Sequence, residues 1–250
     1  MQRIVIGLET QVPYENRKAV KNFTRFLKEY APDELIGIGD HLDAPAPARW
    51  NRGTAQEFAT NLQAEVDRMI QIFEEIRESY DGPFSVHHGN HEARIASYLK
   101  KQAPALADLR SLRLENLLEY ERLDIRLRQP YEKVAPGWVT THGDAGSLSR
   151  IAGSTALNLA KKWGVSVACG HTHRLGVKST AAPGFHATKS LWGMETGNFM
   201  DAKKASYIKS YAPDWTGGFG ILEVIGNRVM PKAVEIQPNG SFAVDGVEYK

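Results

Sequence analysis

The chain is nearly free of cysteine, with one thiol, Cys169, in 250 residues. No internal disulfide can form, which fits a reducing compartment; Val165, Val167 and Ala168 beside it mark a buried strand thiol. No run of about eighteen apolar residues occurs, so no hydrophobic membrane-spanning helix is expected. The opening segment, Met1-Gln2-Arg3-Ile4-Val5-Ile6-Gly7, lacks the layout of a secretory signal. Net charge is scarce too: 31 basic against 29 acidic residues leave +2. That is too little for a global field that draws nucleic acid or anionic membrane, although a local basic groove is compatible with it. With no internal repeat and no low-complexity tract, the expectation is one soluble, cytoplasmic domain, 1–250, with no membrane partner.

Against these absences, 42% of the residues are hydrophobic, enough to bury a sizeable core. Arg3 to Leu8 has the β-branched run of a buried strand, Asn16 to Tyr30 places Val20, Phe23, Phe26 and Leu27 at helical spacing, and Leu35 to Ile38 reads as a second strand. Together they form a βαβ unit, whose parallel strands carry ligand-binding loops at their carboxyl ends. After a Pro- and Ala-rich loop from Ala44 to Gly53, Thr54 is the expected N-cap of a long amphipathic helix with Phe58, Leu62, Met69, Phe73 and Ile76 on one face. Pro83 precedes a third strand, Phe84 to His87. From Ala93 to about Arg128 the period is helical, with Leu106, Leu109, Leu112, Leu117 and Leu118 as core candidates, and the segment reads as a helical insertion (about 93–128). Trp138 to Thr141 and Ser166 to Cys169 are further strands, separated by a helix from Leu148 to Trp163 that Gly164 stops. Beyond Arg174, the runs Gly220 to Ile225 and Val229 to Ile236, split by Gly226-Asn227, read as hairpin strands.

Four short tags fall just beyond four of these strands: Gly39-Asp40-His41-Leu42-Asp43, Gly89-Asn90-His91-Glu92, His142-Gly143-Asp144 and Gly170-His171-Thr172-His173. His41, His91, His142, His171 and His173 are five of the eight histidines. Asp, Asn and His hold hard to borderline divalent ions, and a glycine beside them lets the backbone turn sharply. One such tag is a common turn. Four in order, each behind a strand, point to a two-metal hydrolytic centre.

In this order the tags resemble the calcineurin-like metallophosphoesterase family, whose pattern runs D-x-H, G-D-x-x-D, G-N-H-[DE], H, G-H-x-H; the match covers about Ile4 to Arg174. The resemblance implies an α/β (α+β) fold, a two-sheet β-sandwich flanked by helices, with two divalent ions at the strand ends. It implies that Asp40 bridges both ions, that Asn90, His142 and His171 complete the second site, and that His173 belongs to the first. At the first station the chain departs from the pattern, with Glu9-Thr10-Gln11 where Asp-x-His is expected. Glu9 still supplies a carboxylate, one methylene longer, and Gln11 offers an amide oxygen, a neutral and weaker donor than imidazole. So oxygen-rich a first site favours Mn²⁺, Mg²⁺ or Ca²⁺ over Zn²⁺ or copper; Mn²⁺ is the first choice of cofactor, with Mg²⁺, Ca²⁺, Fe²⁺ and Zn²⁺ as alternatives. Val12-Pro13-Tyr14 and Ala135-Pro136-Gly137-Trp138 are similar to bacteriophage-encoded members, some of which carry Gln for the first histidine. A phage origin would place the protein in the host cytoplasm.

A hydroxide held between two divalent ions about 3.5–4 Å apart is ionised near neutral pH and needs no covalent enzyme intermediate. The resemblance implies that His91 stabilises the transition state or protonates the leaving oxygen. Asp43 and Glu92 are expected to orient a histidine or an arginine, and Asp144 to orient His142. Arg174 is either a phosphate contact or a surface arginine. His41 reads as a partly exposed turn residue, with substrate contact as the alternative. Of His87 and His88 one is expected in the core and one against a helix, and His186 on the surface.

In Ala48-Arg49-Trp50-Asn51-Arg52-Gly53 an aromatic sits between two cations, a pattern that stacks on a base and holds a phosphate; the plainer expectation is a buried Trp50 with solvated arginines. A second aromatic loop, from Tyr211 to Trp215, walls the cleft or closes a hairpin. The expected function is metal-dependent hydrolysis of a phosphodiester in a small nucleotide, cyclic nucleotide or short oligonucleotide, in preference to a phosphomonoester. A protein phosphatase is disfavoured because Asp43 is followed by Ala44-Pro45 and not by Arg-Gly. The alternatives are a DNA or RNA nuclease and a degenerate member acting as a binding or scaffold module. The oligomeric state, a dimer included, stays open.

Overall fold

The computed structural model describes residues 1–182, 189–205 and 213–250. His186 and Tyr211 lie outside these residues. Strand β1 (Gln2–Gly7), helix α1 (Arg17–Tyr30) and strand β2 (Glu34–Gly37) form the expected βαβ unit, with β1 and β2 paired in parallel. Asn16 caps α1, its side chain accepting from the Ala19 N–H at 3.1 Å.

The next helix begins later than expected. Thr54 opens only a short 3₁₀ turn, Ala55–Phe58, without a side-chain cap, and Phe58 is 83% exposed. Helix α2 (Leu62–Ser79) is capped instead by Asn61, which accepts from the Ala64 N–H, and it buries Met69, Phe73 and Ile76. Strand β3 (Phe84–Val86) follows, parallel to β2.

The segment expected as a helical insertion is corrected as well. Helix α3 (Ala93–Gln102) gives way at Pro104 to 3₁₀ turns and to α4 (Leu114–Leu117). The segment then ends in a strand, β4 (Ile125–Leu127), which pairs in parallel with β3 at the edge of the sheet. The breaks scatter the leucines over different faces: Leu106 and Leu109 are exposed, whereas Leu114 and Leu118 are buried.

Strands β5 (Tyr131–Ala135) and β6 (Trp138–Thr141), helix α5 (Ser154–Trp163), and strands β7 (Ser166–Cys169), β8 (Leu175–Ala182) and β9 (Lys189–Thr196) build a second sheet in the order β5-β6-β7-β9-β8. β10 (Gly218–Ile225) and β11 (Arg228–Glu235) form the expected hairpin and extend the first sheet to β11-β10-β1-β2-β3-β4. A small hairpin of β12 (Phe242–Val244) and β13 (Val247–Tyr249) follows. Helix α5 also starts later than its apolar pattern implied, leaving Leu148 and Ile151 exposed. Its first N–H groups, Thr155 and Ala156, donate to Glu195 Oε1 on β9 at 2.7 and 3.3 Å. A cap supplied by a distant strand leaves no local signature.

Alternation along the strands sorts the core into layers. Ile4, Ile6, Ile36 and Ile38 pack with Trp138, Ala168 and Met194 between the sheets. Val5 and Leu35 face the opposite way, onto Phe23 and Phe26 of α1 and Phe73 of α2. Helix α5 covers the far side of the second sheet with Ala156 and Leu159 on Val167 and Cys169. Strands covered on both faces read as continuous apolar runs, which is why β1, β2 and β7 were legible. Cys169 is fully buried, as expected, and burial holds its thiol well above the usual range. Among the described residues no helix is long and apolar enough to cross a membrane.

Candidate functional site

The loops after β1, β2, β3, β6 and β7 meet along one edge of the sandwich. The first two are zipped together by backbone bonds, the Gln11 N–H donating to the Asp40 carbonyl (3.0 Å) and the Val12 N–H to that of His41 (2.8 Å). Gln11, Asp40, His171 and His173 all adopt left-handed backbone conformations. Each costs of order 1–3 kcal/mol, strain that surrounding structure must impose and that gathers at functional sites. Two glycines make the approach of loops feasible. Gly39 has φ 97°, and a Cβ on Gly89 would lie 2.0 Å from Asp40 Oδ1.

Two groups of ligand atoms result. Asp40, His142 and His171 each offer one atom, all within 4.8 Å of one another, and so do Glu9, Asp40 and His173. Asn90 joins the former, its Oδ1 3.1 Å from His142 Nε2; Gln11 joins the latter, its amide nitrogen 3.1 Å from Asp40 Oδ2 and 3.2 Å from His173 Nε2. His142 Nδ1 donates to the Ile38 carbonyl at 2.9 Å, which turns Nε2 toward Asp40 Oδ2, 3.3 Å away. Holding the far ring nitrogen on an oxygen is how a ligating histidine is oriented. Ile38, and not Asp144, does this; Asp144 is exposed.

The donor set fits divalent cations. Glu9 Oε1 lies 2.9 Å from His173 Nε2 without the alignment of a hydrogen bond, and Gln11 Oε1 is buried without a partner. Turning the Gln11 amide about its last bond exchanges the two atoms and points Oε1 at the same spot. The extra methylene of Glu9 has a visible use: Oε2 accepts the His171 N–H at 2.8 Å while Oε1 faces His173.

The field is that of a cation site. Burial works against charge on His142, but Asp40 outweighs it and raises the imidazole to about 10. Burial likewise opposes the Asp40 carboxylate, while His142 and His91 hold it well below the usual range. At pH 7 His142 is therefore protonated, and an ion that takes up its Nε2 must expel that proton. Titrating Mn²⁺ in buffers of different ionisation enthalpy is expected to show about one proton released per second-site ion, with affinity rising with pH. No release would remove His142 from the ligand set.

His91 stands beside both groups. Its N–H donates to Asp40 Oδ1 (2.9 Å), its Nδ1 lies 3.0 Å from Asp43 Oδ1, and its Nε2 is 2.8 Å from Arg94 Nη2. Burial opposes protonation here too, but Asp40 and Asp43 together lift its pKa above the usual histidine value, as a general acid near neutral pH requires. Asp43 thus faces the His91 ring. Glu92 faces the His41 ring and does more besides: it accepts four backbone N–H groups, from Asp40 (3.0 Å), His41 (2.5 Å), Leu42 (3.2 Å) and Gly89 (2.8 Å).

His41 is fully buried against Phe73, its Nδ1 3.4 Å from Glu92 Oε1, so neither the exposed-turn nor the substrate reading holds. His87 is the core histidine, bonded to Thr140 Oγ1 at 2.9 Å, and burial lowers it to about 3. His88 packs near the Tyr120 ring. Arg174 is largely buried and pairs with Asp214 at 2.6 Å; it lines, with Trp50, His91, Arg94, His173 and Trp215, a cleft of about 920 Å³. Trp50 is exposed, contrary to the plainer expectation. Sequence reasoning missed Arg94, one turn beyond His91, and Glu195, whose Oε2 accepts from Thr172 Oγ1 at 2.8 Å between the two histidines of the last tag. The spacing of three from His91 to Arg94 was the available signal.

The two-sheet sandwich with these loops at its edge is the calcineurin-like metallophosphoesterase fold. Vps29 of Entamoeba histolytica, solved in complex with Zn²⁺, matches it with a TM-score of 0.50 at 12% identity, over 100% of both chains. No protein-family model matches the chain. The gene 54 protein of Mycobacterium phage D29 is 41% identical over 250 residues, covering 98% of this chain and 97% of that protein, and that of Mycobacterium phage L5 is 39% identical over 249 residues, covering 98% and 97%. The chain belongs to the family of these mycobacteriophage gene 54 proteins.

Proposed function

We propose that the protein is a metal-dependent phosphodiesterase acting on a nucleotide or short oligonucleotide in the cytoplasm of the infected host. One observation carries this: two groups of candidate ligand atoms share the buried Asp40, with a histidine of raised basicity beside them at the wall of an open cleft. Asp40, Asn90, His142 and His171 would hold one ion, and Glu9, Gln11, Asp40 and His173 the other, with Mn²⁺ preferred at this oxygen-rich end. When bound, such ions neutralise phosphoryl oxygens and make water nucleophilic at neutral pH. The chain's own residues do the rest. His91 delivers a proton to the leaving oxygen, Asp43 keeps its ring in place, and Arg174 contacts a non-bridging oxygen from the opposite wall.

The direct test is turnover of bis-p-nitrophenyl phosphate by metal-stripped protein after addition of Mn²⁺, alongside elemental analysis. No turnover with any divalent ion, and metal below one per chain, would favour the second reading, a binding module whose first station has drifted to Glu9 and Gln11. A companion experiment restores that station. Glu9→Asp with Gln11→His is expected to strengthen Zn²⁺ or Fe²⁺ binding more than Mn²⁺ binding, because imidazole is the softer donor. An unchanged preference would mean that positions 9 and 11 do not ligate.

A further inference from the structure

The cleft wall next to His91 carries a feature that hydrolysis alone does not require. Trp50 is 58% exposed, an unfavourable setting for a large indole unless something covers it. The Arg94 guanidinium lies over its ring, 4.7 Å from the centroid. The same guanidinium reaches on to His91 Nε2 (2.8 Å) and to the Asp43 carbonyl (2.5 Å). Arg94 therefore fixes the tilt of the indole relative to the candidate active site, by a cation–π contact at one end and its hydrogen bond to the Asp43 carbonyl at the other. Arg49 and Arg52, both exposed, flank the tryptophan in the same loop. Across the cleft, Trp215 packs on His173 with centroids 4.3 Å apart and lines the same cavity.

We propose that Trp50, held by Arg94, is the base-stacking wall of a nucleotide subsite, in which the nucleobase lies on the exposed indole and its phosphate points toward His91. An aromatic plane accepts any base, and the arginines around it select an anionic ligand over a neutral aromatic one. The subsite thus recognises a nucleoside monophosphate unit without choosing the base. Its placement of the phosphate rests on the phosphodiesterase reading, but stacking itself is measurable without turnover.

The experiment is isothermal titration of the Mn²⁺-loaded protein with adenosine 5′-monophosphate, ribose 5-phosphate and inorganic phosphate. The monophosphate with a base is expected to bind at least roughly ten-fold more tightly than ribose 5-phosphate, in line with the worth of base–aromatic stacking. Trp50→Ala should abolish that advantage and leave inorganic phosphate binding unchanged, and Trp50→Phe should keep most of it. Equal binding of the two sugar phosphates by the wild type, or an advantage that survives Trp50→Ala, overturns the proposal. The two readings fail separately. Turnover of bis-p-nitrophenyl phosphate without a base advantage removes the subsite alone, and a Trp50-dependent advantage without turnover upholds the subsite and removes the hydrolase.

Discussion

His91→Ala is expected to lower phosphodiester turnover by about 10²–10⁴-fold, the usual worth of a general acid, while metal content stays near the wild-type value. The separation of effects follows from the geometry. Only the backbone N–H of His91 touches Asp40 Oδ1 closely, at 2.9 Å, and alanine keeps that bond; its ring Nε2 stands 3.7 Å from Asp40 Oδ2. The ring instead hangs between Asp43 and Arg94 at the cleft. Because Asp40 and Asp43 raise the His91 pKa, the acid is charged over a wider range than a free imidazole, and wild-type turnover should fall on the alkaline side as that proton is lost. The alanine variant should lack this limb. A substrate with a good leaving group, such as a p-nitrophenyl ester, needs less proton donation and should lose less than an alkyl diester. Full activity in His91→Ala, or equal losses on both substrates, would take the acid role away from His91.

What the sequence made legible divides along a physical line. Period-two and period-3.6 patterns are local, so β1, α1, β2, β3, β6 and β7 stood where apolar spacing put them, and the tags at their ends followed. Interactions supplied from afar left no such trace. The N-terminus of α5 is satisfied by Glu195 from another strand, so its start was placed too early. His142 is oriented by the Ile38 carbonyl, and a backbone oxygen has no residue type to read, so the neighbouring carboxylate Asp144 drew the assignment. Strand β4 was hidden because three residues in a leucine- and arginine-rich stretch carry no period of their own; only pairing with β3 makes them a strand. Trp50 was expected to be buried on the general habit of tryptophan, whereas it is exposed, with a cation against its ring.

The same line explains why Glu92, expected to orient a histidine or an arginine, has a larger task, and why Glu92→Ala should be among the most destabilising single changes in the chain. Its two oxygens take the N–H groups of Asp40 and Gly89 on one side and of His41 and Leu42 on the other. They clamp the β3 loop to the β2 loop at the point where Asp40 turns left-handed. Burial and the neighbouring Asp40 oppose the charge, but His41 and His88 keep the carboxyl below its usual range. The contribution is thus present above about pH 4.5 and is lost as the pH falls through the lowered value. Alanine leaves four buried donors without partners, at about 1–3 kcal/mol each before any water enters. A net loss of about 4 kcal/mol corresponds to a fall in Tm of roughly 8–16 °C for a chain of this size. Glu92→Gln should do nearly as badly, since its amide nitrogen would present hydrogens to N–H donors. Both variants should weaken both ions together, because the clamp positions the shared ligand Asp40, whereas His142→Ala should weaken one. Thermal unfolding followed by circular dichroism, with metal counted in parallel, tests this directly. A Glu92→Ala protein that melts within a few degrees of the wild type and binds two ions as tightly would show that the loops hold their register without the clamp.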